Sequence, residues 1–221
     1  MAGIAGIQGA DDGQLEDMLG RIKHRGQHET RIQQVGEVDL GCCELNAGGK
    51  SKAGSHRTFD GERAIVLDGR IYNLEKLNLT DAEILLKFYG EFGSQFAKRL
   101  DGDFACAIAD GGKLILARDT AGVRPLYYGH VSRSPERSEG DGKLCFASEA
   151  KGLLGVANDV KEFPPGYVYS SELGFQKYAP QAVGTPDFES LEQAKKVLVQ
   201  LLEEAVEKRM KDNAVCGIFL S

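Results

Sequence analysis

No uninterrupted run of about 18 apolar residues occurs in this 221-residue chain, so no segment is expected to cross a bilayer as a helix. The N-terminus, Met1 to Ile7, has neither a basic stretch nor a long apolar one and does not read as a secretory signal, which leaves a cytoplasmic location as the default expectation. Positive charge is not in excess. Lys and Arg number 27 against 33 Asp and Glu, a net charge of -6, so no global field draws in phosphate backbones and nucleic acid is set aside as a partner. Cysteines are five, an odd number that argues against a disulfide framework and fits reduced thiols. Tryptophan is absent, but glycine is plentiful at 28 residues, which suits a hairpin-rich β protein better than a helical bundle. With 42% hydrophobic and 27% charged residues the balance is that of an ordinary globular chain, long enough for one sizeable core or two small ones.

The apolar run Ile4 to Ile7 suits a buried strand, and Asp11 and Asp12 precede a helix whose apolar positions are Leu15, Met18, Leu19 and Ile22, ending near Gly26. Short strands are expected over 31–35, 38–45 and 63–67, the last closed by Asp68-Gly69, with a glycine-rich loop over 46–55. Thr80-Asp81-Ala82-Glu83 has capping-box spacing and opens a second helix that runs past Gly93. A meander follows over 104–109, 113–118, 126–129 and 144–148, interrupted by a polar, charge-mixed insertion over 132–143. A strand over 167–170 leads to a polar stretch, 179–188, which reads as a linker. Beyond it Leu191, Ala194, Leu198, Leu201, Leu202, Ala205 and Met210 mark a long amphipathic helix.

Several segments in order resemble the glutaminase domain of asparagine synthetases, which are class II glutamine amidotransferases of the N-terminal-nucleophile type. They are Gly3-Ile4-Ala5-Gly6-Ile7, His24-Arg25-Gly26, Asp68-Gly69-Arg70-Ile71-Tyr72-Asn73, Asp81 with Glu83, and Asp101-Gly102-Asp103-Phe104-Ala105. Ala117-Arg118-Asp119, Gly122, Pro125 to Gly129, Phe146-Ala147-Ser148-Glu149 and Phe163-Pro164-Pro165-Gly166 continue the likeness. The resemblance implies an α+β fold, a four-layer αββα sandwich of two antiparallel sheets, over residues 1–178. It further implies that 189–221 are the helix and first strand of an ATP-pyrophosphatase domain. ATP and Mg would belong to that synthetase domain and not to this chain, for which no cofactor or metal is expected. The expected partner is a synthetase domain in the same or a separate polypeptide, with homodimerisation a further option for the apolar helix.

In the family, removal of Met exposes a cysteine whose thiol attacks the glutamine amide while its own amine shuttles the proton. An asparagine side chain and a glycine N–H form the oxyanion hole, an arginine grips the substrate carboxylate, and acids grip its ammonium. Carried onto this sequence, the nucleophile position is Ala2, and the oxyanion positions are Asp68 and Gly69. The arginine position is Glu44 and the glutamate position is Arg70; Asp81 and Gly69 alone keep the family's identity. This pattern implies a domain that does not hydrolyse glutamine, with Glu44 and Arg70 pairing across the old pocket and filling it. Two alternatives stand beside it: an active domain in which Ala2 is an artificial Cys→Ala change, and a non-catalytic small-molecule-binding or regulatory module. Cys42 and Cys43, adjacent on a strand, point to opposite faces and read as small buried hydrophobes, as do Cys106, Cys145 and Cys216. His24 reads as a partner of the preceding helix end, while His28, His56 and His130 lack metal-ligand spacing. Arg118, Asp119 and Glu149 read as buried ion-pairing scaffold.

Overall fold

The computed structural model describes residues 2–9, 13–45, 56–73, 79–131, 143–179 and 188–210. The chain divides into two compact units, Met1–Ala179 and Pro180–Ser221. Expectations for 46–55, 132–142, most of the 179–188 stretch and the closing apolar residues around Cys216 lie outside the described residues.

The first unit is built on two six-stranded sheets whose pairings are antiparallel. One runs in the order β10(Lys161–Glu162), β8(Tyr127–His130), β9(Leu144–Ala147), β1(Ala2–Gln8), β3(Val38–Glu44), β2(Glu29–Val35). The other runs β12(Gly174–Lys177), β11(Tyr167–Ser170), β7(Lys113–Arg118), β6(Gly102–Asp110), β5(Arg63–Ile71), β4(Arg57–Phe59). Two helices complete the layers: α1(Gln14–Ile22) covers the first sheet and α2(Asp81–Phe92) the second.

The period-2 alternation of strands explains the layering. On β6, Ala105, Ala107 and Ala109 join Ile4, Leu40 and Cys42 in the core between the sheets. The intervening Phe104, Cys106 and Ile108 meet Ile84, Leu85 and Phe96 in a second core under α2. A third core joins Ala5, Ile7, Cys43 and Cys145 to Leu15, Met18, Leu19 and Ile22 of α1. Three apolar layers between four structural ones make this an αββα sandwich, and Cys42 and Cys43 fall in different layers, as their adjacency on a strand requires. Burial raises the thiols of Cys42, Cys106 and Cys145, the latter two to about 12, so they are poor nucleophiles.

Three local differences from the sequence reading have clear causes. First, β5 does not stop at Asp68-Gly69. It continues to Ile71, because Asp68 and Gly69 pair in register with Ala105 and Phe104 of β6. Second, α2 begins on the expected capping box: Thr80 N–H donates to Glu83 Oε2 at 2.7 Å, and Glu83 N–H donates to Thr80 Oγ1 at 3.2 Å. It ends at Phe92, where Gly93 turns to a φ of 53° and the chain tightens into a 3-10 segment over Gly93–Arg99. Third, β4, β10 and β12 add short strands that are too brief to carry a readable alternation.

The second unit contains α3(Leu191–Met210), on which Leu198, Leu201, Leu202 and Val206 are exposed. No helix among the described residues is long and apolar enough to cross a membrane.

Candidate functional site

The candidate residues gather at one end of the sandwich, where β1 starts and β3 and β5 finish. Ala2 is fully buried and pairs across the sheet with Glu44. Its N–H donates to Asp68 Oδ1 at 3.1 Å, so the first residue of β1 in one sheet is tied to the far part of β5 in the other. Asp68, also fully buried, is gripped on its second oxygen by Arg25 Nη2 at 2.5 Å. Arg25 follows α1 in the short 3-10 turn Lys23–Arg25, which fixes its position beside β1. From there its Nε donates to Ala2 O at 3.1 Å and its Nη1 to Glu149 Oε1 at 3.2 Å.

Glu149 closes the network, meeting His24 Nε2 at 2.9 Å and Lys151 Nζ at 3.1 Å. Burial alone would raise the Glu149 carboxyl; hydrogen bonds from Lys151, Arg25 and His24 outweigh it and hold it below its ordinary range. His24 thus bonds to Glu149 and not to the helix end it follows.

Arg124 approaches the same aspartate, with Nη1 3.8 Å from Asp68 Oδ1. Its backbone is set by Asp119, whose carboxylate accepts from the N–H groups of Ala121, Val123 and Arg124 at 2.9 to 3.1 Å. Arg118 braces this loop from below, donating to the carbonyls of Gly122, Arg124 and Phe163 and to Glu162. Arg118 thus forms an ion pair with Glu162 at 2.8 Å besides bracing the loop through its carbonyls, while Asp119 holds the loop through backbone N–H groups.

Glu44 and Arg70 do not pair, contrary to expectation. Arg70 Nε lies 2.9 Å from Asp81 Oδ2 at the first residue of α2, while Glu44 Oε1 meets Arg57 Nε at 3.5 Å. The first turn of α2 brings its own acid to Arg70, and edge strand β4 delivers an arginine to Glu44. Gly69 keeps a φ of 142°, so its backbone still passes close to β6.

Sequence reasoning assigned no role to Arg25, Arg124 or His56. Arg25 lies within the His24-Arg25-Gly26 signature, which was the available signal; Arg124 and His56 carried none. His56 is buried, with Nδ1 donating to Leu67 O at 3.0 Å and its own carbonyl accepting from Leu67 N–H at 2.7 Å. Burial lowers its pKa from 6.5 to about 4, against the opposing pull of Asp68 and the Leu67 bond. The unfolded chain then takes up this proton below about pH 6.5 and the folded chain only near pH 4, so stability falls as pH drops through that window. A loss of about 2 kcal/mol between pH 7 and pH 5 is expected from this group, and the variant H56Q should remove it, as urea titrations at the two pH values would read.

A groove of about 470 Å³ lies elsewhere, between turns that include Gly36, Gly61 and Gly111. Those turns stand at the opposite end of the strands from Ala2, so it is not part of this site.

A four-layer αββα sandwich that places the start of an inner strand in a polar, charge-lined corner defines the N-terminal-nucleophile class of amidotransferase fold. Residues 1–168 match the glutamine amidotransferase domain family, and the chain belongs to that family. It is 30% identical to asparagine synthetase [glutamine-hydrolyzing] of Triphysaria versicolor over 247 residues, and equally to asparagine synthetase [glutamine-hydrolyzing] 1 of Arabidopsis thaliana. Each alignment covers 100% of this chain and 40% of the relative, so the chain spans about 40% of the length of these curated relatives. The fold is shared with a solved allosteric regulatory enzyme of purine biosynthesis, at a TM-score of 0.64, 18% identity, and 81% of this chain against 49% of that one. Glutamine phosphoribosylpyrophosphate amidotransferase from B. subtilis gives a TM-score of 0.61 at 19% identity, covering 81% and 50%.

Proposed function

We propose that this is a glutaminase-type domain of an asparagine-synthetase-like protein that does not hydrolyse glutamine and serves a structural or regulatory role. The observation that carries the reading is the Ala2–Asp68–Arg25 arrangement. A buried methyl group stands where the family places its thiol, and no atom of Ala2 can attack an amide. A carboxylate that accepts from Ala2 N–H and from Arg25 stands where the oxyanion hole needs a donor; it would repel the developing negative charge and not stabilise it. The two pocket positions whose charge is reversed relative to the family are engaged internally, Arg70 with Asp81 and Glu44 with Arg57. Arg70 thus stands against Asp81 where the family's substrate ammonium would stand.

The partner on this reading is a synthetase domain, in the same polypeptide or a separate one, which would bind ATP and Mg and supply the amide-forming step. The exposed leucines of α3 are suited to packing on such a domain or on a second copy of the chain. A location in the cytoplasm is part of the same proposal.

Glutamine hydrolysis by the wild-type chain and by A2C, the latter with removal of Met1 verified by mass, tests the reading. The wild-type chain should release no ammonia above background, and A2C should stay far below a working glutaminase. A missing oxyanion donor alone holds A2C about 100- to 1,000-fold below a working site. Turnover by A2C near the roughly 10 per second of ordinary enzymes would show that Ala2 is the single defect and overturn the proposal.

A further inference from the structure

The sheet edges of the first unit are not equally protected. An edge strand presents unpaired N–H and C=O groups to any other strand, and natural proteins blunt it by shortness, proline, bulges or charge. β4 has three residues, β10 two and β12 four, so these edges are too short to template much pairing. β2 is the exception. It closes its sheet on the side away from β10 with seven residues, Glu29-Thr30-Arg31-Ile32-Gln33-Gln34-Val35, without proline, and its register with β3 runs unbroken from Glu29–Glu44 to Val35–Val38. Thr30, Arg31, Ile32 and Gln34 are exposed, Ile32 at 41%. The turn fixes which backbone groups are free. Gly36, at a φ of 58°, and Glu37 form a two-residue hairpin loop, so Val35 and Val38 are a hydrogen-bonded pair and the odd-numbered residues of β2 bond to β3. Thr30, Ile32 and Gln34 therefore direct their N–H and C=O outward. The outward Gln34 carbonyl is met by the side chain of its own neighbour Gln33, at 3.1 Å, and not by another strand.

We propose that β2 is a docking edge for a second copy of this chain, the two β2 strands pairing antiparallel about a twofold axis at Ile32 and joining the two sheets into one. The inference goes beyond the non-hydrolysing reading and does not depend on it. A twofold axis closes such an assembly, since the same patch serves on both copies. Charge selects the register. With Ile32 opposite Ile32 of the second copy, Thr30 faces Gln34, and all the outward residues on each side find partners. Arg31 then lies opposite Gln33 and Glu29 opposite Val35, so no like charges meet directly. Shifting the pairing one way sets Arg31 against its own counterpart. Shifting it the other way sets Glu29 against Glu37 and leaves Thr30 opposite the turn at Gly36. The strand is thus complementary to itself in one register, with the Ile32 pair as the apolar contact at the axis.

Sedimentation velocity of the full chain from about 2 to 200 µM tests the proposal, because a single strand pair is a small interface of the transient kind. A monomer–dimer equilibrium within that range is expected. Ile32→Pro removes an outward N–H and no bond to β3, a change that edge strands tolerate, and should weaken association by about 10-fold or more through loss of the bonds at the axis. Ile32→Lys sets two like charges at the axis and should act in the same direction; it also serves if Ile32→Pro folds poorly. Hydrogen exchange of the wild-type chain at low and high concentration should show protection over residues 29–35 that rises with the dimer. Three outcomes overturn the inference: a monomer throughout the range, association unchanged in both Ile32 variants, which would assign it to another surface such as α3, or a dimer whose added protection leaves out residues 29–35.

Discussion

Replacing Arg25 with methionine should cost about 3–5 kcal/mol of folding stability, the range for breaking a buried ion pair by removing one partner. The guanidinium serves three groups at once: Asp68 at 2.5 Å, Ala2 O at 3.1 Å and Glu149 at 3.2 Å. Without it, fully buried Asp68 keeps the Ala2 N–H and an arginine 3.8 Å away. A loss of this size is a large share of the roughly 5–15 kcal/mol that stabilises a typical domain. Urea denaturation of the first unit's transition would measure it. The double variant R25M/D68N should be less unstable than R25M alone, because removing both charges leaves no buried carboxylate without its partner. If R25M lies within about 1 kcal/mol of wild type, Asp68 is not held by Arg25 and the account of the corner is wrong.

Gly69→Ala should be as damaging, through sterics and not charge. The residue has a φ of 142°, where side chains are strained, and a Cβ there would overlap Asp103 O and lie 2.7 Å from Phe104 Cα. Both obstacles are backbone of the neighbouring strand β6, which cannot yield without breaking the register of the central sheet. A loss above about 4 kcal/mol, or failure to fold, is expected. Gly61→Ala is the control. That glycine has a φ of 102° but no atom within 4 Å of its would-be Cβ, so it should show backbone strain alone, about 1–3 kcal/mol. Equal effects at the two positions would mean that the approach of β5 to β6 contributes nothing.

The central strands were legible as short apolar runs, and the structure shows how their alternate residues divide between layers. Phe104 to Ala109 is such a run, with Ala105, Ala107 and Ala109 turned to the core between the sheets and Phe104, Cys106 and Ile108 to the core under α2. The start of α2 was legible because Thr80 and Glu83 satisfy each other's backbone locally. Asp68-Gly69 misled for the converse reason. Glycine normally ends a strand, and only the pairing with Ala105 and Phe104, some 35 residues further along the chain, keeps β5 going. The short strands β4, β10 and β12 exist by pairing with longer neighbours and have no pattern of their own.

The amino-acid order by itself determined the principal strands and helices and the set of charges around Ala2, since these depend on residue identity and local periodicity, while the sandwich and the nucleophile's position of Ala2 were legible only through the ordered segments that resemble the family. Only the tertiary structure decided which charges meet. Asp68 could have faced a donor from anywhere, and it is Arg25, 43 residues away, that reaches it. Glu44 and Arg70, apparent partners on paper, are each claimed by a different group, Arg57 on β4 and Asp81 on α2. Ion pairs are settled by distance in three dimensions and not by complementarity of type, and that distance is fixed by strand register and helix placement, which no single segment of the sequence contains.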